Sequence, residues 1–136
     1  MGKILRDLWI LSSDGITMYS RVYNPKVNEQ LFGAIMSAIN KFAEKVADGG
    51  ISSFELSEIK FSIIKKNEIL FVANADLEEK DKRINQELSK ISDKFFEIYS
   101  DQLNNFAGDV SIFSDFEQHI ENSLQDTVKK FKKAFW

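Results

Sequence analysis

The first half of the chain alternates apolar runs with short polar turns. Leu5–Leu11 is largely apolar on consecutive positions, which in a strand means that both faces are buried. A turn sequence follows that ends in Gly15, and residues 16–23 then alternate apolar with polar side chains. This pattern predicts a hairpin with a central first strand and a less buried second strand.

A long helix is predicted over residues 29–47, with Asn28 as its N-cap and Gly49-Gly50 as its stop. Its apolar positions cover about half of the circumference, more than one contact with a sheet requires. One stripe is predicted to face the core: Leu31, Ile35, Ala38, Ile39, Phe42 and Val46. The positions beside this stripe are predicted to bind a partner domain: Phe32, Gly33, Met36, Asn40, Ala43 and Ala47. Gly33 is expected to let that partner approach closely.

Three short strands are predicted next, over residues 51–57, 59–65 and 69–74, and their brevity favours antiparallel pairing. Residues 69–73 are apolar on both faces, as in the first strand, so we expect these two strands to be neighbours at the centre of one sheet. The side chains expected to be buried are Trp9, Leu11, Ile35, Ile39, Phe42, Leu70, Val72, Leu88, Ile91 and Phe95.

Two more amphipathic helices are predicted in the second half. One begins at a capping-box-like pair, Asp76 and Glu79, and the other begins at a similar pair, Ser114 and Glu117. The apolar stripe of the last helix is Phe116, Ile120, Leu124, Val128, Phe131 and Phe135. The element order predicts a single α/β domain over residues 1–136, an α/β/α sandwich in which helices cover both faces of a five-stranded, mainly antiparallel sheet.

Composition and charge narrow the range of functions that the chain can have. A net charge of −3 gives no general attraction for nucleic acid, and the absence of cysteine excludes disulfides and thiolate chemistry. The start of the chain lacks the pattern of a signal peptide, and no run approaches the roughly 20 apolar residues of a membrane span. We therefore expect a cytoplasmic protein.

Two segments carry a resemblance to a known family. Residues 9–21, in which a strand ends in two serines and turns through a glycine into Tyr-Ser-Arg, resemble the opening hairpin of the first longin domain in subunits of Rab-activating complexes. The helix that begins Gln-Leu-Phe-Gly-Ala-Ile at Gln30 is similar to the same pattern. Residues 54–76 resemble the three-strand run of longin SNAREs.

The resemblance implies a longin-like fold and an adaptor-like role without catalysis. It implies pairing with a second copy or with a related longin or roadblock domain, and binding or regulation of a small GTPase in a trafficking-like system. We do not expect the role of a SNARE, since no heptad coil or membrane anchor is seen after Phe135 and Trp136. No cofactor is expected.

The residues of the chain give little support for a catalytic function. The single histidine, His119, lacks a second strong metal donor, so it is interpreted as a surface histidine. Asp48-Gly49-Gly50 lacks the lysine and the spacing of a phosphate-binding loop, and it is interpreted as a helix stop. Acidic pairs such as Glu78 with Glu79 fit exposed surface better than acid and base catalysis.

The C-terminal segment has two interpretations. Its aromatic side chains can complete the core stripe while its lysines complement the negative end of the helix dipole. Alternatively, the protein is a peripheral membrane tether whose basic and aromatic side chains contact anionic lipid. The residues of that contact would be Lys129, Lys130, Lys132, Lys133 and Trp136. A small-molecule sensor is a third hypothesis, which the densely apolar core positions disfavour.

Overall fold

A computed structural model of the chain describes residues 4–22, 29–46, 53–55, 58–106 and 108–121. Several predicted features lie outside these residues, or have side chains outside them: Asn28, Leu31, Ile35, Ala47, Gly49, Gly50, Leu124, Val128, Lys129, Lys130, Phe131, Lys132, Lys133, Phe135 and Trp136.

The described elements follow the predicted order. The strands are β1 Leu5–Leu11, β2 Thr17–Arg21, β3 Ser53–Glu55, β4 Ile59–Lys66 and β5 Ile69–Asp76. The helices are α1 Glu29–Val46, between β2 and β3, then α2 Asp81–Asn104, a 3₁₀ helix Val110–Phe116 and the short α3 Glu117–Ile120. All four strand pairs are antiparallel, and the five-stranded sheet has the order β2-β1-β5-β4-β3. The predicted fold class and the central pair of strands are therefore confirmed.

Alternation along β1 and β5 divides the core into two layers. Trp9 pairs with Val72 and Leu11 with Leu70, and these four side chains face α1. Leu8 and Ile10 point the other way, towards α2, the 3₁₀ helix and α3. Each strand is buried on both faces because each face of the sheet carries its own helical layer, as the consecutive apolar positions predicted.

The layer on the α2 side is dominated by aromatic rings around Phe95, which has no exposed surface. Its ring lies 5.2 Å from the centroids of both Phe113 and Phe116 in the 3₁₀ helix and 5.7 Å from that of Phe71 in β5. The Tyr99 hydroxyl donates to Asp115, which joins α2 to the same 3₁₀ helix. Leu88 and Ile91 are also buried in this layer, as predicted.

Two helix starts differ from the predictions. Asp76 ends β5, where it pairs with Ile59, and a turn carries the chain to the start of α2 at Asp81. Ser114 does not cap the last helix, because the chain is already helical from Val110, where Asp109 accepts a hydrogen bond from the Ser111 amide at 3.1 Å. At both sites the sequence matches a capping-box pattern, but the helix does not begin at the residue that the pattern marks.

Candidate interaction surface

The rotation of α1 about its own axis decides which of its side chains a partner can reach. Gly33, Met36, Ser37 and Asn40 lie buried, and Phe32 is half-buried with its ring stacked at 3.9 Å on Trp9. Among the described side chains, the inner face of α1 therefore combines one thioether and one aromatic ring with small and polar residues.

Gly33 sets the closest approach between α1 and the β1–β2 hairpin. A Cβ atom at Gly33 would lie 2.5 Å from the Thr17 hydroxyl and 3.0 Å from the carbonyl oxygen of Gly15. The first distance is shorter than real Cβ contacts and the second is tighter than most of them, so a side chain at this position would force its neighbours to shift. The close approach that the sequence assigned to a partner takes place within the chain.

Polar contacts further along α1 hold the helix in the same orientation about its axis. The Ser37 hydroxyl donates to the carbonyl oxygen of Ser13 at 3.3 Å. Near the end of the helix, the Lys65 ammonium on β4 lies 2.8 Å from the Glu44 carboxylate. That hydrogen bond holds the pKa of Glu44 below its usual range. Because Ser37 and Glu44 both point at the sheet side, the opposite face of the helix must point outwards.

The outward face carries an apolar stripe. Phe42 is 70% exposed, Val46 is 72% exposed and Ile39 is 42% exposed, and Ala34 and Ala38 continue the stripe towards the start of the helix. We call these five residues the outer stripe. The prediction that Ala38, Ile39, Phe42 and Val46 face the core was wrong, because α1 turns its polar stripe towards the sheet.

The six positions predicted to bind a partner lie elsewhere. Gly33, Met36 and Asn40 are buried, Phe32 and Ala43 are half-buried, and Ala47 lies outside the described residues. The sequence placed this set on the outside of the helix, and its described members face the sheet side. Their role in partner binding stays an untested prediction, and it would require surfaces that the sheet already occupies.

Replacing Gly33 by alanine is expected to lower the free energy of unfolding by about 1–3 kcal/mol, the usual range for overpacking. In an exposed helix position the same change would instead raise stability by up to about 1 kcal/mol, because alanine has the higher helix propensity. Urea unfolding of the two proteins measures the sign. A more stable Gly33→Ala variant would contradict the packing of α1 described above.

The residues considered for chemistry are scattered. His119 is exposed on α3, and its carbonyl oxygen accepts a hydrogen bond from Lys94. Within the described ranges, no group of three or more acidic or histidine side chains is placed to hold a metal ion.

The basic aromatic residues of the predicted membrane contact lie beyond Glu121 and outside the described residues. No described helix is long and apolar enough to cross a bilayer.

Comparison with known proteins gives a family match over most of the chain. Residues 6–129 match the sequence model described as the first longin domain of FUZ, MON1 and HPS1. No curated protein sequence matches.

Solved structures with a similar fold include bacterial proteins. Myxococcus xanthus MglB superposes with a TM-score of 0.58 at 12% identity, over 71% of this chain and 85% of that chain. A Roadblock/LC7 domain from Streptomyces avermitilis gives 0.58 at 15% identity, over 72% and 87%. At such identities the likeness shows a shared fold.

Proposed function

Because this chain belongs to the family of the first longin domain of FUZ, MON1 and HPS1, we propose that it is a non-catalytic protein-binding module. It pairs through the outer stripe of α1 with a second copy of itself, or with a related longin or roadblock domain, and the pair binds a small GTPase. The observation that carries the pairing is the exposure of Ile39, Phe42 and Val46 on a helix whose other face is already packed.

The outer stripe has the size and composition of an interface centre. An 18-residue helix is about 27 Å long, comparable to the width of a patch that buries roughly 800 Å² per partner. Exposed apolar residues are ordinary when single, whereas a contiguous stripe centred on an aromatic ring favours a protein contact. Lys41 and Lys45 are exposed beside the stripe and provide a polar rim.

The GTPase part of the proposal rests on the resemblance of residues 9–21 to the opening hairpin in subunits of Rab-activating complexes. A helix pair formed by two such domains creates a composite surface that neither domain has alone. Binding of the GTPase is therefore coupled to pairing, and it should weaken when pairing is lost. A trafficking-like setting follows from the same resemblance.

Purified protein is expected to bind at least one small GTPase when cytosolic candidates are offered in their GDP, GTP-analogue and nucleotide-free states. Complex formation and nucleotide release are measured for the wild type, for Phe42→Glu and for Ile112→Glu. Ile112 is a matched control, since it is an exposed aliphatic residue on the 3₁₀ helix, across the sheet from α1.

We expect the wild type and Ile112→Glu to bind the GTPase. Phe42→Glu should bind it at least about tenfold more weakly, as for loss of an interface anchor. Equal binding by Phe42→Glu would show that pairing and GTPase binding are uncoupled. Nucleotide hydrolysis by the isolated chain would overturn the non-catalytic assignment.

A further inference from the structure

The sheet ends at β2, which pairs with β1 and has no strand on its other side among the described residues. Tyr19 lies opposite Ile10 and Thr17 lies opposite Leu11, so Met18 is the extra residue of a β-bulge. The bulge turns both Met18 and Tyr19 towards the α2 layer, whereas Ser20 lies opposite Trp9 and points to the α1 layer. Four of the five residues of β2 are buried, so the prediction of a less buried second strand was wrong. A strand without a hydrogen-bonded neighbour on one side is nevertheless a template for pairing with another chain.

A slot of about 360 Å³ follows this edge. One wall is residues 17–20 of β2, and the other is formed by Val110, Ser111, Ser114 and Glu117. Since Tyr19 and Ser20 point to opposite faces of the sheet, a cavity that touches both lies along the open edge of the strand. No backbone hydrogen bond joins Met18, Tyr19 or Ser20 to residues 108–121, so the 3₁₀ helix stands beside the edge without pairing to it.

The segment that forms the second wall of the slot is acidic, and one of its acids, Glu117, lines the slot. Residues 109–121 contain Asp109, Asp115, Glu117 and Glu121 and include neither lysine nor arginine. The Glu117 carboxylate contacts Arg21 at 3.4 Å and is still 51% exposed. A ligand in the slot therefore meets the edge of β2 on one side and the Glu117 carboxylate with Ser111 and Ser114 on the other.

We propose that this slot binds an extended segment of a partner protein, which adds to β2 as a sixth strand and carries lysine or arginine side chains. Main-chain hydrogen bonds to an edge strand supply affinity for any extended chain, and the acidic wall selects the basic one. The five residues of β2 span about 17 Å, enough for a short segment. This site is separate from the outer stripe and does not depend on pairing through α1.

The test uses the full chain, labelled with ¹⁵N, and three short blocked peptides. The first alternates threonine with lysine, the second alternates threonine with glutamate, and the third is the first peptide with N-methyl groups on alternate residues. The first is expected to bind and to shift the amide signals of Met18, Tyr19, Ser20 and Ser111. The acidic peptide should bind at least about tenfold more weakly. The N-methylated peptide should not bind, because it lacks the donors of a strand.

Two arginine variants locate the binding in the slot. Ser114→Arg should abolish binding of the lysine peptide, since it fills the slot and repels the ligand, whereas Ser100→Arg places the same side chain at an exposed position of α2 and should leave binding unchanged. Phe42→Glu should also bind normally, which separates this site from the outer stripe.

Several results would overturn the proposal. They are binding of no peptide, equal binding of the N-methylated peptide, or binding that survives Ser114→Arg. Self-association that Ser114→Arg removes, without peptide binding, would instead assign the edge to a second copy of the chain.

Discussion

Replacing Met36 by glutamate is expected to lower the free energy of unfolding by at least about 3 kcal/mol, because the carboxylate would enter a site without a partner. Met36 is 3% exposed and packs with Trp9 and Leu70 beneath α1. Phe42→Glu, six residues further along the helix, should change that free energy by only about 0.5 kcal/mol, as is usual for exposed positions. Glutamate is therefore expected to unfold the domain when it replaces Met36 on the inner face of α1. It is expected to leave the domain folded when it replaces Phe42 on the outer face.

Denaturant titrations of the two variants, followed by circular dichroism and by tryptophan fluorescence, measure this contrast. The sequence alone predicted a partner-facing Met36, for which glutamate would leave the fold intact. Similar midpoints for Met36→Glu and the wild type, or a large loss of stability in Phe42→Glu, would contradict the rotation of α1 in the structure.

Phe95→Ala is expected to lower the free energy of unfolding by about 3–5 kcal/mol, the range for removing a buried aromatic ring. Phe95 has no exposed surface, and its ring contacts lie on both β5 and the 3₁₀ helix, so the cavity would open between the sheet and its cover. Few neighbours can collapse into that space, since Phe71 and Phe113 are themselves fully buried.

Ile98→Ala is the matched control for Phe95→Ala, since Ile98 lies on the same helix and is half-buried. We expect it to cost less than about 2 kcal/mol, because less apolar surface is lost. Thermal and urea unfolding give both values. Equal losses for the two variants would show that the aromatic cluster is not the centre of this layer.

The sheet was predictable because its signals are local. Residues such as Trp9, Ile10 and Leu11 are apolar on consecutive positions, and a strand between two layers buries such a run. The turn at Gly15 has a positive φ of 87°, which glycine adopts without strain, so the hairpin was also fixed by sequence. These features depend on neighbours within a few residues.

The orientation of α1 was not predictable from its apolar pattern. Apolar residues occupy two adjacent stripes, and periodicity does not say which stripe meets the sheet. The decision lies in distant contacts, where Gly33 fits against Thr17 and Glu44 reaches Lys65. A signal was present, since Gly33, Ser37, Asn40 and Glu44 recur at spacings of four, three and four, but the polar character of that row pointed to solvent.

The slot beside β2 could not be predicted from the sequence either. It depends on the 3₁₀ helix standing next to the edge strand, which is set by packing of Tyr19 on Phe116 at 5.4 Å and by the contact of Arg21 with Glu117. The bulge at Met18 left no mark in the alternation of residues 16–23 that distinguishes it from a regular strand. Such juxtapositions of remote segments arise only in the folded chain.

Sedimentation velocity of the purified chain over a wide concentration range tests the pairing most directly, with Phe42→Glu and Ile112→Glu run beside it. We expect a monomer–dimer equilibrium for the wild type and for Ile112→Glu, and a monomer for Phe42→Glu with an unchanged circular dichroism spectrum. A wild type that stays monomeric at every concentration would contradict pairing of the chain with itself. A dimer that Phe42→Glu leaves intact would contradict the assignment of the outer stripe as its interface.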